Sequence, residues 1–129
     1  VQTFNQLFPL GHAYLGYIDL VGRQNVIDWS GGLALSPAPK WKSSTAIHYF
    51  WRENANDAIY NPGGSIVRAG DAGDSKAIGL EIDLTLGYAI NRFVGLSGGY
   101  SHFFPGPFIK ESGASNSIDF LYFVLQVTF

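Results

Sequence analysis

Ser117-Ile118-Asp119-Phe120-Leu121-Tyr122-Phe123-Val124-Leu125-Gln126-Val127-Thr128-Phe129 is the stretch on which the fold turns. Counting back from Phe129, every second position is large and apolar: Val127, Leu125, Phe123 and Leu121. The interleaved Thr128, Gln126, Val124, Tyr122 and Phe120 are mixed. Successive side chains of an extended chain point to opposite faces, so this spacing lays one fully apolar stripe along one face. An aromatic last residue on a strand with one greasy face is the pattern of an outer-membrane β-barrel. The last strand of a soluble β-sandwich alternates as well, and the remaining sequence has to separate the two.

Composition favours the membrane. Hydrophobic residues make up 47% of the chain and charged residues only 14%, against about a quarter charged in soluble proteins. No run of about twenty apolar residues is present, which excludes a transmembrane helix but not strands, since only alternate strand residues face lipid. A net charge of −2 argues against nucleic acid as a partner. With no cysteine there is no disulfide or thiolate chemistry. The chain starts on Val1 without a signal peptide, and is expected to be a mature product or a fragment.

Going outward from the closing stretch, residues 1–24 are the least regular, broken by Pro9 and three glycines, and are expected to form an extracellular loop. Alternation then begins. Ile27, Trp29, Leu33 and Leu35 share one face; Thr45, Ile47, Tyr49 and Trp51 follow after a turn at Pro37-Ala38-Pro39-Lys40. Residues 54–76 form a long loop with turn chemistry at Asn61-Pro62-Gly63-Gly64 and Asp71-Ala72-Gly73-Asp74. The cleanest strand places Ile78, Leu80, Ile82, Leu84, Leu86, Tyr88 and Ile90 opposite Gly79, Glu81, Asp83, Thr85, Gly87 and Ala89. Asn91-Arg92 is a tight connection, Val94, Leu96 and Tyr100 mark the next strand, and a loop over residues 105–116 leads into the closing one.

The expected fold is therefore all-β: an antiparallel up-and-down meander of about five transmembrane strands, part of an outer-membrane β-barrel. The strand lengths suit the 9–11 residues a tilted strand needs to cross a bilayer. Connections alternate short and long, as periplasmic turns and extracellular loops do. One face is continuously bulky and the other Gly, Ser, Ala and Thr with isolated charges, which inverts a soluble core. Trp29, Tyr49, Trp51, Tyr88, Tyr100, Phe103 and Phe104 are expected in the interfacial girdles.

With these residues placed, the chain resembles the carboxy-terminal part of the bacterial alginate-export family of outer-membrane barrels. The resembling segments include Gln6-Leu7-Phe8-Pro9-Leu10-Gly11-His12, Gly16-Tyr17-Ile18-Asp19-Leu20-Val21-Gly22-Arg23-Gln24-Asn25 and His48-Tyr49-Phe50-Trp51. Asp57-Ala58-Ile59-Tyr60-Asn61, Gly79-Leu80-Glu81-Ile82-Asp83 and Gly99-Tyr100-Ser101-His102-Phe103-Phe104-Pro105-Gly106 carry it further. The resemblance implies a large barrel that carries polysaccharide or smaller solutes across the outer membrane. It also implies that the stripe Leu121, Phe123, Leu125, Val127 and Phe129 is the assembly signal recognised by the barrel-insertion machinery. Five strands are too few to close such a barrel, so the remaining strands, or other chains, are expected partners.

The candidate lumen residues are Asp28, His48, Arg52, Glu81 and Asp83. Pairing around the 54–76 loop is expected to set Arg52 opposite Glu81 or Gly79, and His48 near Asp83 or Thr85. They either sort solutes by charge or knit the inner wall by ion pairs. Three acids against one arginine argue against an anionic alginate as cargo. His12, Asp19 and Arg23 are the candidate constriction residues in the first loop. Neither they nor Asp57 and His102 show metal-ligand spacing, and no cofactor is expected. Glu81 and Asp83 share a face, but no nucleophile elbow is present, and the chain is expected not to be an enzyme. Two other classes are a soluble carbohydrate-binding β-sandwich and an outer-membrane enzyme.

Overall fold

A computed structural model describes residues 14–129. Five long strands form one antiparallel sheet in the order β1-β2-β5-β6-β7: β1 (Val26–Leu35), β2 (Trp41–Arg52), β5 (Ala77–Ala89), β6 (Val94–Pro105) and β7 (Ile118–Val127). Every neighbour in the sheet is the next long strand in sequence, so the meander expected from the alternation is present. The 54–76 loop carries a small hairpin of its own, β3 (Ile59–Tyr60) and β4 (Ile66–Arg68). The 105–116 loop, expected to be irregular, contains a one-turn helix, α1 (Pro107–Glu111), which starts on a proline whose missing N–H costs a first turn nothing.

The two short connections lie at one end of the sheet and are closed by side chains as well as backbone. Asn91 Oδ1 accepts the Phe93 and Val94 N–H groups at 2.8 and 3.0 Å, an Asx turn in the position where Asn-Gly would be usual. In the other, Lys40 adopts φ +71° and its ammonium donates to the Ile90 carbonyl at 3.2 Å, tying the two turns together.

Opposite faces of the sheet differ in kind. Outward, Trp29, Leu121 and Phe123 are 76, 63 and 75% exposed although apolar. Aromatics gather in two rows on this face. Tyr49 and Trp51, with ring centroids 4.0 Å apart, stand with Trp29 and Phe104 near the long-loop end. Trp41 and Tyr88, 4.6 Å apart, stand near the short-turn end. From Trp41 to Trp51 is ten residues of β2, about 34 Å of strand at 3.4 Å per residue, or about 25 Å of height at barrel tilt.

The inward face is divided. Toward the short turns it is small and polar, as the alternation requires. Toward the long loops it carries an apolar core of Leu15, Val21, Phe50, Ile59, Ile78 and Phe103, closed by Phe108 and Ile109 of α1. Each fully buried Phe or Ile contributes about 1.5–3 kcal/mol, so this core fixes the loops onto the sheet.

Two face assignments are corrected here. Phe103 is 1% exposed and points into the core rather than into a girdle, because it shares the inward parity of Ser101 and lies opposite Glu81. Ile78 is buried on the inward side rather than outside. The pairing of β2 with β5 slips between Phe50 and Trp51, and a bulge of this kind reverses which side a residue faces.

Candidate functional site

On the inward face a polar chain crosses four neighbouring strands. His48 of β2 stands between two carboxylates: its Nδ1 is 2.9 Å from Asp28 Oδ2 on β1, and its Nε2 is 3.8 Å from Asp83 Oδ2 on β5. Asp83 in turn accepts the Ser101 hydroxyl from β6. Glu81 stands two positions before Asp83 on the same strand and faces the same side. His48, Glu81, Asp83 and Ser101 are all buried. The expected proximity of His48 to Asp83 is therefore present, although its direct cross-strand neighbour is Glu81.

Arg52 is placed differently from expectation. Phe50 is the residue opposite Gly79, and Arg52 lies beyond it, its backbone N–H donating to the Lys76 carbonyl at 2.8 Å. Its guanidinium meets neither Glu81 nor Asp83. It donates instead to the carbonyls of Ala55 at 2.7 Å, Asp57 at 3.4 Å, Asp74 at 3.2 Å and Ser75 at 2.8 Å. It also lies 3.8 Å over the Phe108 ring. A planar fork with five donors can satisfy diverging carbonyls at once, so Arg52 ties off the two ends of the 54–76 loop.

Residues 14–24 lie over this wall without regular structure. The Ile18 N–H donates to Glu81 Oε1 at 2.9 Å. Tyr17 stacks on Tyr122 of β7 with ring centroids 5.3 Å apart. Tyr122 in turn lies on Gly99, where any Cβ would overlap its ring. Gly22 N–H donates to the Tyr60 carbonyl at 2.6 Å, joining the segment to the 54–76 loop. Of the three candidate constriction residues, Arg23 reaches over the Tyr14 ring at 4.8 Å. Asp19 adopts a left-handed φ of +56°. His12 lies outside the described residues.

The loops are bound to one another by polar contacts. Asn25 Nδ2 donates to the carbonyls of Asn54, Asp57 and Ala58, and its Oδ1 accepts the Asn54 N–H. Arg68 donates to the carbonyls of Ser112 and Ala114. Glu111 accepts the Ser75 N–H at 2.8 Å and the Ser75 hydroxyl at 2.9 Å, which holds its carboxyl below the ordinary glutamate value. Tyr122, Asn25 and Arg68 were not singled out in the sequence. Only Tyr122 had a legible signal, since it falls on the inward parity of the closing strand opposite Gly99.

Lys42 is a further inward residue that the alternation reaches, two positions before Ser44. It has no ion pair among the described residues, and with Tyr17, Ser44, Thr85, Ser97 and Tyr122 it lines a cleft of about 420 Å³ toward the short-turn end. On the described wall the free basic side chain is thus Lys42 rather than Arg52. On the outer face, His102 Nδ1 and Asp119 Oδ1 are 2.7 Å apart, joined by the Tyr100 hydroxyl at 2.5 Å from Asp119. Among the described residues no group of three His, Asp or Glu side chains is arranged to hold a metal ion.

No curated protein and no solved structure matches the chain. A family model described as alginate export matches residues 1–123. That match runs from the first residue into the closing strand, across all the described segments of the inner wall before its end, and the chain belongs to the alginate export family.

Proposed function

We propose that this chain supplies five strands of the wall of an outer-membrane β-barrel whose inner face borders a passive aqueous path for polysaccharide or small solutes. The observation that carries the reading is the exposed apolar outer face between two aromatic rows, about 25 Å apart, the height of the apolar band of such barrels. The long-loop end is then extracellular and the short-turn end periplasmic. Residues 14–24, with Asp19 and Arg23, and the 54–76 loop narrow the path from the extracellular side. Asp28, His48, Glu81 and Asp83 belong to its wall, and the remaining strands or other chains close the sheet. The Leu121, Phe123, Leu125, Val127 and Phe129 stripe faces lipid and presents the assembly signal to the insertion machinery.

The wall's chemistry bears on the cargo. Asp28, Glu81 and Asp83 offer a polyanion no positive partner, while Lys42 offers one positive charge nearer the periplasm. An alginate-like polymer therefore depends on basic residues elsewhere around the barrel, whereas neutral saccharides are compatible with the wall as it stands. We assign no catalytic role to this arrangement. The test is detergent partition followed by single-channel recording of the natural full-length protein in planar bilayers. Stable ion conductance with heat-dependent gel mobility is expected; a monodisperse, detergent-free soluble protein without conductance refutes the reading.

A further inference from the structure

We propose that the outer face carries a lipid-binding site at its extracellular rim. Asp119 and His102 there take the primary ammonium of a lipid headgroup, and the groove beneath them takes an acyl chain. The inference rests on the reading that this face meets a bilayer, and asks nothing of the path inside. Among the described residues, the outward positions of the five long strands hold one carboxylate, Asp119, and one imidazole, His102, with no lysine or arginine. Their height is that of headgroups. Barrel strands are tilted, so one height drifts along the register from strand to strand. The short-turn row shows this drift. Trp41 pairs with Tyr88, but on the last two strands the exposed aromatics are Phe93 and Phe129, beyond the Leu96 and Leu125 that continue that pairing. From Phe129 back to Asp119 is ten residues, the span from Trp41 to Trp51 on β2. His102 is the cross-strand partner of Asp119. The pair thus stands in the outer aromatic row rather than in the hydrocarbon, where a carboxylate is costly.

The hydrogen bonds say what headgroup fits. Asp119 Oδ1 accepts both the Tyr100 hydroxyl at 2.5 Å and His102 Nδ1 at 2.7 Å. An ionised carboxylate only accepts, so His102 carries its proton on Nδ1 and, when neutral, presents Nε2 as an acceptor. Asp119 Oδ2 is the second acceptor, on a side chain that is 63% exposed. Two acceptors and one negative charge complement a cation bearing N–H donors and disfavour a bare phosphate. A primary ammonium, three donors around one charge, is such a group. Below the cluster the surface turns apolar and concave. Ile82, Leu84, Tyr100, His102 and Phe104 enclose about 370 Å³, with the His102 and Phe104 rings 4.2 Å apart at the upper end. Leu84 and Tyr100 lead on into a hollow of about 770 Å³ that reaches Leu86, Gly98 and Phe123. A polar head at the rim over an apolar channel toward mid-strand is the order of groups in a lipid. A second copy packed about a two-fold axis at this cluster would instead set carboxylate against carboxylate.

The test is native mass spectrometry of the natural full-length protein, released from micelles equilibrated with equal amounts of phosphatidylethanolamine, phosphatidylcholine and phosphatidylglycerol of the same acyl chains. Phosphatidylcholine keeps the positive charge but has no N–H donor, and phosphatidylglycerol has hydroxyl donors but no cation. Phosphatidylethanolamine is expected to be retained about tenfold over either, the effect of one hydrogen bond to a charged group. Asp119→Asn keeps the shape and one acceptor oxygen, and should abolish the preference. His102→Phe removes the other acceptor while extending the aromatic row; it should weaken the preference, and it covers the case in which Asp119→Asn fails to reach the heat-modifiable folded form. Ile82→Trp fills the groove and should lower retention of all three lipids alike. Equal retention of the three by the parent, or the parent's preference persisting in a folded Asp119→Asn protein, overturns the headgroup site. Unchanged retention in Ile82→Trp overturns the groove, and dimers that Asp119→Asn dissolves assign the cluster to a second copy. A parent that needs no detergent refutes the bilayer reading itself, whereas a detergent-dependent parent without lipid preference refutes this site alone.

Discussion

Replacing Leu84 by arginine probes the outer face at its most demanding point. Leu84 lies opposite Thr45 on one side and Tyr100 on the other, and Thr45 is midway along β2 between Trp41 and Tyr49. It is 48% exposed. Against hydrocarbon this position sits near the midplane, where an arginine costs about 2–4 kcal/mol, while one at the interface costs about 0–1. At 1.4 kcal/mol per decade, the midplane cost is about 30- to 700-fold in the folding equilibrium. Trp29→Arg, in the outer aromatic row, is the matched control. The assay is denaturant unfolding of the full-length protein in lipid vesicles, followed by tryptophan fluorescence. Equal losses at the two positions, or a Leu84→Arg protein within 0.5 kcal/mol of the parent, would refute the lipid-facing assignment, because only a membrane makes cost depend on height along the strand.

Arg52→Lys is expected to loosen the 54–76 loop by about 2–4 kcal/mol of local opening free energy, since a point ammonium cannot reach four diverging carbonyls; amide hydrogen exchange over residues 53–76 reads this. Gly99→Val should cost about 1–3 kcal/mol by overpacking against Tyr122, whereas Gly95→Val, where the nearest heavy atom to an added Cβ is 3.9 Å away, should cost far less; equilibrium unfolding separates them. The Ser75–Glu111 clamp stabilises the ionised carboxylate, so its contribution is complete above the ordinary glutamate value of 4.5 and is lost as pH falls through the lowered one. Protection of the Ser75 amide should fall correspondingly in acid, and Glu111→Gln should flatten that dependence.

Where the chain alternates, the sequence was sufficient. Leu80 through Tyr88 and Leu121 through Val127 each repeat with period two, and period two has one consequence for which side a residue faces. Legibility ended at the bulge. Between Phe50 and Trp51 the pairing slips, and no residue type at those positions announces it, so Ile78 and Arg52 were both assigned to surroundings they do not have. The inner core was hidden for a different reason. Leu15, Phe50, Phe103 and Phe108 come from a loop, two strands and a one-turn helix, and no window of sequence contains them together. The candidate wall residues were found because charges on an inward parity stand out among Gly, Ser and Thr. The group that meets Glu81, the Ile18 backbone N–H, carries no such mark, since a main-chain donor exists at every residue except proline.

The chain of contacts from Asp28 through His48 and Asp83 to Ser101 has a consequence for how the sheet is put together. A strand displaced by two residues keeps its greasy side out and its small side in, so the alternation by itself is degenerate: many alignments satisfy it equally. The charges remove that degeneracy. Shift β2 by two against β5, and His48 moves from the level of Glu81 to that of Asp83 or Gly79, exchanging its partners, while Arg52 is drawn away from the carbonyls it ties. Shift β6 instead, and Ser101 leaves Asp83. The first four strands of the sheet, β1, β2, β5 and β6, thus carry polar teeth that engage only when each is seated at one height, and it is these contacts that choose among alignments the alternation leaves equal.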